Sequence, residues 1–413
     1  MLNPSNRSSN FLLYCWVFQL CWLYGCLIKN MRKHFWFLAI GVVLVGFMAG
    51  VFLFEEADFL IASLPRVIES ATSTDKQASQ DTPSNQVSVI FTGDIMLSRG
   101  VAQKIKAKQD LNYPFLAMAD YLRSADLVFG NLETALAEGR EIGLGEMVFR
   151  ADPKLAKVLY DFNFRVVSLA NNHTMNFGEA GLGQTLQNLL ANGVDYAGAG
   201  SGALEAYNPV VIHKNGLALA FLAYTDNDVV PSSYFATATT AGVAYMDIAK
   251  MQTAIKTARE RADLVIVSMH AGNEYKNYPN ARQTNFARAA VDAGADLVIG
   301  HHPHVVQWAE QYKGSPPHQT GANLAVCNVA GATSSPPLWC GGKYIFYSLG
   351  NFIFDQADPK TKEGLVLKVF FTKDGLVKIE PQAIYIKDFS QPTLLSGQQA
   401  QKIISRLKIV LDQ

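Results

Sequence analysis

The segment VSVIFTGD, Val87 to Asp94, decides the fold. Its β-branched apolar run reads as a buried strand, and Thr92-Gly93-Asp94 follows at the strand's carboxyl end. The same pattern returns in DLVFGN (126–131), FRVVSLANN (164–172), LALAFLAYT (217–225), DLVIVSMH (263–270), DLVIGHH (296–302) and YIFYSLGN (344–351). Amphipathic stretches lie between several of these runs, at Pro153–Phe162, Glu179–Asn192, Ile248–Ala262 and Gln283–Ala293. Strands alternating with helices predict a layered α/β fold with a largely parallel interior.

Further along, residues 364–388 alternate apolar and polar side chains around Lys373-Asp374-Gly375. That pattern predicts an antiparallel hairpin at a sheet edge. Residues 395–411 read as a terminal helix. The stretch 313–342, rich in Gly, Pro, Ser and Thr, reads as a surface insertion. It holds Cys327 and Cys340. In an oxidising compartment these two would form a disulfide worth about 3 kcal/mol on the chain-entropy model; otherwise they are free thiols. Gly198 and Gly200 lack a dinucleotide fingerprint around them and read as a turn.

Upstream of the folded region the chain changes character. Two apolar runs, 11–28 and 35–54, precede Glu55, the first acidic residue, with Lys29, Arg32, Lys33 and His34 between them. The second run carries no charge and would extend about 30 Å as a helix, the thickness of a bilayer core. It reads as a transmembrane signal anchor rather than a cleaved signal peptide, because it exceeds a typical h-region and lacks a small-residue cleavage site. The basic cluster just before it places the remainder of the chain outside the cytoplasm. Residues 1–34 form an N-terminal extension. Within it, residues 1–30 read either as a first span or as sequence upstream of a start at Met31. Residues 69–86 read as a flexible tether.

Composition removes several classes. Lys plus Arg is 35 and Asp plus Glu is 35, so the net charge of zero argues against a nucleic-acid partner. A hydrophobic content of 49% excludes a disordered chain, and five cysteines exclude a disulfide-dense scaffold.

The chemistry concentrates where strand C-terminal ends are expected. Asp94, Asn131, Glu133, Asn172, His173, His270, Glu274, His301, His302, His304, Asn351 and Asp355 all follow apolar runs. In open α/β sheets that rim is the usual ligand crevice. Imidazole, carboxylate and amide donors without thiolate suit Mn, Zn or Fe better than Mg. On an extended segment His302 and His304 would share a face and reach one metal. A two-metal site would activate water and clamp a phosphoryl-type oxygen. Arg150, near a strand end, could hold an anionic substrate bidentately, with Glu274 and Tyr275 on the same rim.

The ordered series GDIML (93–97), GNLE (130–133), FRADP (149–153), SLANNH (168–173), HAGNEY (270–275), GHHPHVVQ (300–307) and SLGNFIFDQ (348–356) resembles the bacterial CapA family, also called PgsA. These are capsule or poly-gamma-glutamate biosynthesis proteins. The resemblance covers residues 87–388. It implies a four-layer αββα sandwich similar to calcineurin-like metallophosphatases, membrane-anchored with the domain outside the cell. It also implies one or two divalent metal ions. Asn172, His270, His302 and a bridging Glu133 would serve one ion; Asp94, His304 and the bridge would serve the other. His173 would act as general acid or phosphate contact. The fifth motif matches either His302 with His304 or His301 with a neighbour.

Departures accompany the match. Met96 stands where a metallophosphatase has a ligand histidine, Asn131 where it has a bridging Asp, and Asn176 where the family usually has an Asp. Ala271 replaces a usual Trp. The resemblance implies a role in extracellular polyanion synthesis or export beside membrane-bound synthase subunits. The alternatives are a phosphoesterase acting on a phosphate-containing substrate and a non-enzymatic scaffold.

Overall fold

The structure is a computed structural model that describes residues 86–314, 342–407 and 410–411. The two N-terminal apolar runs, nearly all of the tether, and Cys327 with Cys340 lie outside the described residues. Among the described residues, no helix is long and apolar enough to cross a membrane.

Two sheets form the interior. The first contains β1 (Gln86–Ile95), β2 (Leu127–Leu132), β3 (Phe164–Ser168) and β4 (Asp195–Ala197), all parallel. The second runs through β5 (Val210–Lys214), β6 (Leu217–Thr225), β7 (Leu264–His270), β8 (Leu297–His301), β9 (Ala309–Tyr312) and β10 (Lys343–Phe346). Its centre, β6-β7-β8-β10, is parallel, and β5 and β9 add antiparallel flanks. The chain then returns to the first sheet as β11 (Asn351–Ile353), β12 (Glu363–Thr372), β13 (Gly375–Lys387) and β14 (Gln391–Leu394). The expected hairpin is β12 and β13. It joins the sheet through β12 against β1, and β14 forms the outer edge.

Side chains alternate along β1, as a strand buried on both faces requires. Val89 and Phe91 point between the sheets, and Ile90 points to the outer helices. Across the inter-sheet core, Phe129 stacks on Phe221 at 5.5 Å between ring centroids. The outer face of the first sheet is covered by α1 (Arg99–Lys108), α2 (Leu155–Asp161) and α3 (Gly178–Ala191). The outer face of the second is covered by α4 (Ile248–Arg259) and α5 (Ala281–Ala293). The layers therefore run helix, sheet, sheet, helix. Helix α5 starts with a capping box between Asn280 and Gln283 and stops at Gly294 in the left-handed conformation.

The C-terminal expectation needs correction. Helix α6 spans only Gly397–Ile404, followed by a 3-10 turn at Ser405–Leu407. Its apolar positions Ala400, Ile403, Ile404 and Leu407 pack into the inter-sheet core. Beyond them, Val410–Leu411 forms β15, which pairs with the open edge of β9. A free strand edge thus captures residues that the sequence pattern assigns to helix.

Candidate metal centre

Strand register brings the polar residues together. Asp94 is paired with Asn131 on β2 and with Asn351 on β11. In the second sheet, His270 is paired with His301. Asp94, Asn131, His270 and His301 stand at the carboxyl ends of parallel strands, and Asn351 opens β11 beside them. Gly93 makes the close approach possible: a Cβ there would overlap the carbonyl oxygen of Gly350.

Asp94 and Glu133 are fully buried. Asn131 Nδ2 donates to Asp94 Oδ1 at 2.8 Å and to Glu133 Oε1 at 3.0 Å, and lies 3.2 Å from His270 Nδ1. His270 Nε2 faces Asn172 Oδ1 at 3.0 Å. Two imidazoles approach Asp94: His301 Nδ1 lies 3.2 Å from Oδ1, and His304 Nδ1 lies 3.3 Å from Oδ2. The His301 contact is close but not aligned as a hydrogen bond, so both ring nitrogens remain without partners.

The electrostatics follow from this crowding. Burial alone would raise Asp94, but His301 and His304 hold its carboxyl well below the usual range. Burial, together with the nearby Asp94 charge, drives Glu133 well above it. Burial also opposes a charge on His304, yet its contact with Asp94 raises its value. His270 is held well below the ordinary imidazole value by burial and by His302. Burial and His304 push His302 down to about 3.

The two rim histidines do not lie on an extended segment. Strand β8 ends at His301, and His302 (φ 97°) and His304 (φ 57°) both adopt left-handed backbone. Such conformations are uncommon outside glycine and cost energy that the surroundings must offset. The rings still turn to one side, with centroids 6.0 Å apart and His302 4.7 Å from the His270 ring. A sharp bend, not strand alternation, juxtaposes them.

His173 stacks on Phe149 at 3.8 Å. Its Nδ1 lies 2.9 Å from Asn176 Oδ1, which also accepts from the Phe149 amide at 2.9 Å. Oδ1 is therefore the acceptor, Nδ1 carries the proton, and Nε2 keeps its lone pair. Burial pushes His173 down to about 4. A neutral imidazole in this tautomer accepts a proton or a hydrogen bond, rather than acting as an acid at rest.

The chain matches the model of the bacterial capsule synthesis protein PGA_cap over residues 88–356. It belongs to the PGA_cap family. Among curated relatives, the PGA biosynthesis protein CapA of Bacillus subtilis (strain 168) is 32% identical over 78% of this chain and 77% of its own. The capsule biosynthesis protein CapA of Bacillus anthracis is 29% identical over 78% of this chain and 73% of its own. Among solved structures, a sulfate thiohydrolase SoxB from Thermus thermophilus aligns over 78% of this chain and 59% of that chain, at 12% identity and a TM-score of 0.37.

In this PGA_cap chain, two groups of donor atoms among the described residues are spaced for a cation. They are Asp94, Glu133 and His304, and Glu274, His302 and His304, each with its atoms within 4.8 Å of one another. Glu133 Oε2 and His302 Nδ1 are buried without a partner. Orphaned buried donors of this chemistry fit a divalent cation.

Other expected site residues serve different ends. Asn351 donates from Nδ2 to Gln356 and to the Thr361 carbonyl, so its Oδ1 accepts from His304 Nδ1 at 2.9 Å. It orients that ring, leaving Nε2 to face outward chemistry. Asp355 is taken up by Arg99 at 2.5 Å and by the Gly100 amide at 2.9 Å. Arg150 points into a cavity beside α1, sending Nη1 to the Ala137 carbonyl. Met96 accepts from the Ser98 amide through its sulfur.

Two residues in this neighbourhood were not singled out from sequence. Asn171 donates to Asn131 and to the Leu132 carbonyl while its Oδ1 accepts from the His173 and Thr174 amides. It sits inside the quoted SLANNH motif, so the signal was present. Arg99, with φ of 45°, lies 4.6 Å above the Phe149 ring that stacks on His173. Nothing local marks it.

Proposed function

We propose that this domain works outside the cell, held by the apolar run 35–54, in the synthesis or export of a capsule polyanion of the poly-gamma-glutamate class. Its cleft binds one or two divalent ions, Mn, Zn or Fe rather than Mg. The observation that carries this reading is the convergence of Asp94, Glu133, His270, His302 and His304 on one buried rim with orphaned donors. When bound, such a metal would polarise an oxygen of the substrate or activate water. Asp94, Glu133, Asn172, His270, His302 and His304 would hold it; Asn131 and Asn351 would orient them. The names of the curated relatives support the polymer context. Membrane-bound synthase subunits are the partners this reading implies.

The test is metal content of the purified full-length protein after reconstitution with Mn or Zn. One to two ions per chain are expected, and the pair His270→Ala with His304→Ala should lose them. Failure to bind either metal, or undiminished binding in that double variant, overturns the reading.

A second reading, a polymer-complex scaffold, draws on Met96 standing where a metallophosphatase has a ligand histidine and on Asn176 standing where the family usually has an Asp. Polymer production that persists in a strain carrying His270→Ala would favour it. Metal-dependent turnover of an aryl phosphate would instead favour a general phosphoesterase.

A further inference from the structure

Beside α1 lies a cavity of about 430 Å³, bounded by that helix and by the segment from Glu138 to Leu155. None of the candidate metal ligands lines it. Its size falls in the lower range of small-molecule pockets, about 300–1,000 Å³. Ile105, Ile142 and Leu155 supply apolar wall, all of them buried.

Arg150 is the unusual member. It is 8% exposed. Its Nη1 donates to the Ala137 carbonyl at 2.9 Å, and its Nε is buried with no partner. Among the described residues, no carboxylate forms an ion pair with it. Arg99, which borders the same cavity, is neutralised by Asp355 at 2.5 Å. A buried guanidinium without a counter-ion is costly, and a carboxylate is its natural complement.

The rim is mainly of the opposite sign: Asp110, Glu138, Glu141 and Asp152 line it, and the lysine among them, Lys106, is paired with Glu141. Glu138 and Asp152 are exposed there and act on Arg150 only at longer range. A polyanion or free phosphate entering past these groups would be repelled. A ligand carrying both an ammonium and a carboxylate would meet both ends with the right charge. We propose that this cavity binds a free amino acid, its carboxylate on Arg150 and its ammonium toward Glu138 and Asp152.

The site shares no residue with the metal cluster, so this inference stands or falls apart from the proposed function. The experiment uses purified full-length protein. Common amino acids in both enantiomers are screened by saturation-transfer NMR, and hits are titrated by calorimetry beside their des-amino acids and inorganic phosphate. At least one amino acid should bind saturably, with its des-amino analogue at least tenfold weaker and phosphate not competing. Arg150→Gln should weaken binding at least tenfold. Ala102→Trp, which places an indole in the cavity from α1, should do the same. Both variants should still melt cooperatively and keep the wild-type metal content. Absence of saturable binding by every amino acid, equal binding of the des-amino acid, or undiminished binding in Ala102→Trp overturns the proposal.

Discussion

Asn131 and Asp94 are register partners on adjacent parallel strands, and the amide Nδ2 donates to the carboxylate at 2.8 Å. The same nitrogen also reaches Glu133 and His270. One neutral side chain therefore separates two buried carboxylates and supplies hydrogen bonds that a third carboxylate could not. The site is tolerable without a cation because of this amide, and one negative charge poorer with a cation for the same reason.

Asn131→Asp tests that trade. The variant loses the Nδ2 donor and adds charge beside Asp94 and Glu133. Without metal, its stability should fall by about 3 kcal/mol, the order expected for an uncompensated buried charge. With saturating Mn, the melting temperature should rise by more than in the wild type. Equal metal-induced gains in the two proteins would count against Asn131 standing in the ion's coordination environment.

Cation binding should depend on pH in a definite direction. His304 is raised above the ordinary 6.5 and Glu133 well above 4.5, so both bind protons that a metal must displace. Affinity should therefore rise with pH and decline as pH falls through the raised His304 value. Calorimetry in buffers of different ionisation enthalpy should show net proton release. A pH-independent affinity would contradict this.

Much of this geometry was legible before the structure. The strand runs, the placement of Asp94, Glu133, His270 and the 301–304 histidines beyond them, and the hairpin at 373–375 are local patterns, because strand period and turn chemistry are local. What escaped depends on tertiary space. The bends at His302 and His304 are imposed where β8 leaves the sheet. Arg150 reads as a rim residue from its place in the chain, yet its neighbour Phe149 takes the face toward His173 while Arg150 enters the other cavity. Val410 and Leu411 join β9 because an edge was open there.

Gly300 offers a sharp steric test. An added Cβ would overlap the carbonyl oxygen of Tyr347, a backbone atom with no rotamer to escape into. Gly300→Ala should cost about 3 kcal/mol, the upper end for overpacking. Metal binding should weaken too, since His301 to His304 follow directly. Gly145→Ala, where a Cβ meets nothing within 4 Å, is the control and should stay within about 0.5 kcal/mol of wild type. Similar denaturation midpoints for the two variants would show that the strand relaxes.

Asp126 ties the two sheets at the end opposite the cluster. Its Oδ2 accepts from the Ser88 amide and hydroxyl, each at 2.8 Å, and Oδ1 accepts from Asn215 Nδ2 at 3.0 Å. Burial would raise its value, but the Ser88 and Asn215 hydrogen bonds lower it on balance. A depressed carboxylate contributes stability above its unfolded value, about 3.9, and loses it as pH falls through the folded value. Asp126→Ala should therefore cost about 1 kcal/mol at neutral pH and progressively less toward pH 2. Urea melts across that range would expose a pH-independent difference if the carboxylate charge plays no part.

His173 gives the last expectation. The network puts the proton on Nδ1, facing Asn176 Oδ1, and burial holds the ring near 4. Because the folded value lies below the ordinary 6.5, the unfolded chain binds a proton that the native ring refuses between those limits. That contribution is complete above 6.5 and erodes as pH falls toward 4. Asn176→Asp keeps an acceptor on Nδ1 and adds a negative charge beside it. The His173 value should rise by roughly 2 units, and the acid-side loss of stability from this ring should shrink. NMR titration of the His173 carbon-bound ring protons reads the shift directly. A titration unchanged by the substitution would mean that Nδ1 does not donate to residue 176, and the assigned tautomer, with Nε2 as the free acceptor, would have to be reversed.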